Sequence, residues 1–164
     1  MLGFFRTPKD VGIYNVAVQG SLLVAFGLQV ANSLIAPQFA RLYAQGDQAR
    51  LQRLVTVTAR IILLAALPVA LTFILAGGVI AGWAFGPEFT QSHTPMTILA
   101  VGQLINAAMG SVVSLLNMTG HERDVARTLL ITAGLNVLLN LFLIPLFGMA
   151  GAATATAFSL ATWN

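Results

Sequence analysis

The sequence predicts an all-α protein, a polytopic bundle of transmembrane helices with four complete spans and a truncated fifth. Two observations carry this reading. Hydrophobic residues fill 57% of the 164 positions and charged residues only 8%, against roughly half and a quarter in soluble domains. The charges also fall into four groups: Arg6, Lys9 and Asp10; the set from Arg41 to Arg60; Glu88 alone; and Glu122 to Arg127. Between and after these groups run charge-free stretches at 11–40, 61–87, 89–121 and 128–164. Each exceeds the ~20 residues that cross a hydrocarbon layer about 30 Å thick.

The first span is expected at 12–36. Residues 1–10 before it lack the apolar run and small-residue cleavage site of a signal peptide. The 46–60 segment that follows is expected to be a short interfacial helix leading into the membrane. Asp47 after Gly46 suits its N-cap, with Leu51, Leu54, Val55 and Thr58 on one face and Arg50, Arg53 and Arg60 on another. The second span is expected at 61–83, the third at 96–117 and the fourth at 128–146. The last charge-free stretch would form a helix of roughly 55 Å if unbroken, too long for one span. Pro145, Phe147 and Gly148 are therefore expected to supply a break. From 149 to 164 about 16 residues remain, roughly 24 Å of helix, an incomplete crossing. Both ends of the chain thus read as cut from something longer.

Basic residues orient the spans. The 41–60 and 119–127 connections hold six arginines, and the 84–95 and 147–149 connections hold none, so the first pair is expected on the cytoplasmic side. Phe4, Phe5, Trp83, Phe85 and Phe89 then gather near the outer interface and Tyr43 near the inner one. The sequon at Asn117 would face the cytoplasm and carry no glycan.

Within the spans the polar residues are amides and hydroxyls. Gly102, Asn106, Gly110 and Ser114 recur every four positions, as do Thr132, Asn136 and Asn140. Such stripes serve as packing seams, where small residues let backbones approach and amides bond across helices. They also suit a water-filled cavity in which amides meet sugar hydroxyls. Gln19, Gln29, Asn32 and Gln103 fall under the same two readings. Arg41 and Arg60 either obey the positive-inside rule or fork the phosphate of an anionic lipid-linked substrate.

Several chemistries lack their residues. No Asp, Glu or Lys falls within an expected span, so there is no mid-membrane proton carrier and no carboxylate pair for catalysis. The chain has no cysteine, which removes thiolate metal sites and cysteine nucleophiles. His93 and His121 have no companions at ligand spacing, and no phosphate-binding glycine-lysine loop is present. No catalytic, cofactor-binding or metal-binding residue is expected, and the protein is not expected to be an enzyme.

The segments VGIYNVAVQ, APQFARLYAQGD, RLVTVTARIILLAALPVAL, FGPEF, ILAVGQ and LNVLLNLFLIPLFGMAGAATATAFS, in that order, resemble the second, C-terminal lobe of bacterial polysaccharide flippases. These are the Wzx-type O-antigen and exopolysaccharide exporters, related in fold to multidrug and toxic-compound extrusion (MATE) transporters and to the lipid II flippase. The resemblance covers nearly the whole chain from about Gly3. It implies a MATE-like lobe whose five pieces match the eighth to twelfth of about twelve to fourteen helices arranged in two bundles around an alternating cavity. It further implies export of a polyprenyl-diphosphate-linked oligosaccharide for polysaccharide or lipopolysaccharide biosynthesis across the bacterial inner membrane. The implied partners are that lipid-linked substrate, the missing N-terminal lobe and membrane lipids, with no nucleic acid. A MATE-type cation antiporter and a non-transport scaffold are the other readings open to this composition.

Overall fold

The computed structural model describes residues 1–163, and these are helical almost throughout. A short α1 (Leu2–Phe5) precedes α2 (Pro8–Ala44) and α3 (Gln48–Phe85). A 3-10 turn over Pro87–Ser92 leads into α4 (His93–Met109), then α5 (Val112–Met118), α6 (Glu122–Phe147) and α7 (Met149–Thr162). Helices are what a bilayer demands, because only they satisfy the backbone of a single segment away from water. Three of them, α2, α3 and α6, are long and apolar enough to cross a membrane, and α4 with α5 makes a fourth if that bent pair is one span.

Helix α2 starts earlier than the expected 12, for a reason written in the sequence. Thr7 accepts from the Asp10 amide at 3.3 Å while the Asp10 carboxylate accepts from the Thr7 amide at 3.2 Å, a reciprocal capping box with Pro8 at the first helical position. Asp47 caps α3 as expected, accepting from the Arg50 amide at 3.0 Å. The separate interfacial helix at 46–60 does not exist. Those residues are the first turns of α3, which continues through Pro68 without interruption for 38 residues, roughly 57 Å. Nothing between 48 and 85 favours a backbone other than helix strongly enough to stop it.

Glycines, not prolines, make the real breaks. The third expected span is split at Gly110, whose φ of +77° is costly for a residue with a Cβ, and the two pieces meet at 43°. Pro145 stays inside α6, which runs on to Phe147. The chain turns on Gly148 alone, at φ +60°, before α7 begins at Met149.

Helix α4 is the hub: α2, α3 and α7 all pack on it, and α6 lies outside against α7. The core uses small side chains. One cluster joins Val24 and Leu28 of α2 to Ile62, Ala66 and Ala70 of α3 and Ala100 and Ala107 of α4. A second surrounds Met96, whose thioether fills the gap left by Gly20 of α2 and Gly77 of α3. Large side chains such as Leu64, Leu75, Ile131 and Phe142 point outward, as lipid-facing residues should. At the end where α2 begins, Lys9 pairs with Glu88 at 3.1 Å and Arg6 donates to the Ile144 carbonyl at 3.4 Å near the end of α6.

Candidate functional site

The bend at Gly110 opens the interior. Where α4 stops and α5 veers away, a cavity of about 280 Å³ forms between α2, the α4–α5 break and the end of α7. Its wall holds Gln29 and Asn32 from α2, Gln103 and Asn106 from α4, Ser111 and Ser114 beyond the break, and Trp163 just past α7. The remaining lining residues are Leu22, Ala25, Leu28, Gly110, Val113 and Leu160, so among the described residues no charged side chain faces the space. Asn106 donates to Gln103 Oε1 at 3.2 Å, fixing both amides on the α4 face. Three buried polar atoms in the wall have no partner among the described residues: Asn32 Oδ1, Ser111 Oγ and Trp163 Nε1. Buried polar atoms are ordinarily hydrogen-bonded, and of the six such orphans among the described residues these three, from α2, the α4–α5 break and the segment after α7, belong to residues lining one cavity.

Of the residues singled out by sequence, Gln29, Asn32, Gln103 and Asn106 meet at this cavity. Gln19 is exposed on α2 and takes no part in its wall. Asn136 and Asn140 lie elsewhere, in the seam between α6 and α7. Asn136 Nδ2 donates to Ser159 Oγ at 3.0 Å and the Ala155 carbonyl at 3.3 Å, and Asn140 Nδ2 donates to Asn136 Oδ1 at 2.9 Å. The two polar stripes therefore divide, one to a cavity and one to packing. Gly102 belongs to packing too, since a Cβ there would stand 2.7 Å from the Ala157 Cβ of α7.

Arg41 and Arg60 are exposed and line neither the cavity nor a groove described here. Arg50 and Arg53 instead flank a shallow groove of about 390 Å³ with Gln38, Leu42, Leu54 and Val57, between the end of α2 and the start of α3. Arg50 also pairs with Asp47 at 3.3 Å. His93 Nε2 sits 2.9 Å from the Ile74 carbonyl of α3, and His121 Nδ1 3.1 Å from Thr119 Oγ1. Among the described residues no three His, Asp or Glu side chains converge on a metal-sized site.

Sequence reasoning overlooked Ser111 and Trp163. The Gly110–Ser111 pair inside an otherwise unbroken helical pattern was the available signal for a bend. Trp163 carried none, because only the fold brings it beside α2.

Long apolar helices and outward bulky side chains define a multi-pass α-helical membrane protein. Its similarities point the same way. The probable low-salt glycan biosynthesis flippase Agl15 of Haloferax volcanii is 30% identical over 98% of this chain. The probable flippase AglR of the same organism is 28% identical over 98%, and the uncharacterized membrane protein MJ1068 of Methanocaldococcus jannaschii 26% over 96%. The chain spans about a third of the length of these relatives, 34%, 34% and 31% respectively. No protein-family model matches the chain, and no solved structure matches it significantly.

Proposed function

We propose that this chain is part of the second lobe of a two-lobed, MATE-like flippase that moves a polyprenyl-diphosphate-linked oligosaccharide from the cytoplasmic to the outer leaflet. The observation that carries the proposal is the charge-free, amide-lined cavity at the α4–α5 break in a chain similar to two archaeal proteins named as probable flippases. A sugar headgroup cannot cross hydrocarbon bare, since each unbonded hydroxyl resists leaving water. A cavity walled by Gln29, Asn32, Gln103, Asn106 and two serines offers replacement partners along the way, while the prenyl tail stays in lipid. The arginine-rich 41–60 and 119–127 connections face the cytoplasm in this reading, where the groove beside Arg50 and Arg53 would offer guanidinium groups to a lipid phosphate.

The work is transport without chemistry on the cargo, so the protein is not an enzyme. The relatives are archaeal, which widens the setting from a bacterial inner membrane and a Wzx-type exporter to the plasma membrane of a prokaryote. The test is genetic. The complete gene containing this chain is expressed in strains lacking their own oligosaccharide flippase, and surface polymer is scored. Restoration in at least one donor pathway is expected, and failure in all of several pathways rejects the proposal.

A further inference from the structure

The three orphaned atoms differ in kind, and the difference specifies a ligand. Asn32 Oδ1 only accepts, Trp163 Nε1 only donates, and Ser111 Oγ does either. A cation would be coordinated by Asn32 and Ser111 but would meet the positive end of the Trp163 N–H. An anion would suit Trp163 and meet the lone pairs of Asn32. Neither would find a compensating charge, because the wall contains no Asp, Glu, Lys, Arg or His, and an unpaired ion in a low-dielectric interior is strongly disfavoured. A hydroxyl group both donates and accepts, so each of the three atoms finds in a polyhydroxylated molecule the kind of partner it lacks. The indole of Trp163 adds an apolar face of the kind sugar rings stack on, and about 280 Å³ is near the lower end of small-ligand pockets.

We propose that this cavity selects an uncharged, polyhydroxylated sugar unit and discriminates against cations and against acidic sugars. The inference rests on the flippase reading above and adds the chemical class of the cargo's recognised part. It also separates two tasks: the neutral ring is recognised at the α4–α5 break, and the diphosphate is held by arginines outside the cavity. All three orphaned atoms are buried and belong to residues that line the cavity. A ligand that engages them removes the cost of leaving a buried polar group unbonded.

Two measurements on the full-length protein in proteoliposomes test this. In the first, donors with the same prenyl diphosphate carry either a neutral hexose or the corresponding hexuronic acid. The neutral donor is expected to flip at least tenfold faster. Equal rates, or a preference for the acid, overturn the selectivity while leaving the flippase reading intact. Movement of neither donor overturns the flippase reading and this inference with it. In the second, Ser111→Ala and Asn32→Leu remove orphaned groups. Ser111 makes no side-chain cap bond at the start of α5, so its replacement forfeits no helix contact. Each variant is expected to melt a few degrees higher and to flip the neutral donor at least threefold more slowly. A higher melting point with an unchanged rate means that the groups only held water, and a lower melting point means that they are structural. Either result rejects the proposal.

Discussion

Asn136 and Ser111 are both polar residues in a membrane helix region, yet they act in opposite directions. Asn136 bonds Ser159 and the Ala155 carbonyl across the α6–α7 seam, so it helps hold the bundle together. Replacing it with alanine is expected to lower stability by about 0.5–2 kcal/mol, read as a lower melting temperature in detergent, the reverse of the rise expected for Ser111→Ala. Gly102 sets a sterner limit. A valine there would drive its Cβ into the Ala157 Cβ and the Ala157 Cα 2.9 Å away, and Gly102→Val is expected to cost about 1–3 kcal/mol or more through overpacking. A melting temperature within a degree of the parent would show that α4 and α7 are not so closely joined. The four-residue spacing of both stripes was visible in the sequence, but spacing alone treats Asn106 and Asn136 alike. Their roles differ because Asn106 lies at the foot of a bend that opens space, whereas Asn136 faces an α7 rich in alanine that closes on it.

Among the elements, the most instructive contrast is between prolines and glycines. Pro37, Pro68 and Pro145 all lie inside helices, although proline is the conventional helix breaker in water. In a bilayer the freed carbonyl has no water to turn to, so the helix persists around the fault and neighbouring groups adjust. Gly110 and Gly148 change the chain's course because their φ values of +77° and +60° lie where a Cβ is strained. Gly110→Ala combines that strain with a clash against the Ala59 Cβ, 2.8 Å from the added atom. It is expected to lose about 1–3 kcal/mol, with flipping falling in parallel. Pro68→Ala, which restores a backbone donor to α3, is expected to leave the melting temperature unchanged or raise it. If Gly110→Ala proves the milder of the two, glycine is not what sets the bend. The Asp47 cap was read from the sequence, whereas the capping box of Thr7 and Asp10, equally written there, was not. The fusion of 46–60 into α3 was not, since nothing local distinguishes an interfacial helix from the extended end of a span.

For the whole molecule, charge placement revealed most of what a sequence can. The gaps between charged groups marked the long apolar helices, because a long uncharged apolar run has few stable environments other than lipid. The hub position of α4 was hidden, since it depends on which small residues meet across helices and not on any period along one. Orientation is open to direct measurement because the chain has no cysteine, so a single introduced thiol reports without background from this region. In intact cells a membrane-impermeant maleimide is expected to label Glu88→Cys and to reach Gln52→Cys only after permeabilisation. The opposite pattern would invert the topology and move the arginines to the outside. The turn at Gly148 bears on how such a protein enters the membrane at all. With a single residue between α6 and α7, and with Gly151 seated directly against the Leu143 backbone, neither helix has slack to wait in the insertion machinery for the other. Asn136 of α6 obtains its partners on α7 only once the two lie side by side. The pair is therefore expected to leave the translocon as one preassembled hairpin, its polar groups already shielded from lipid at the moment of release.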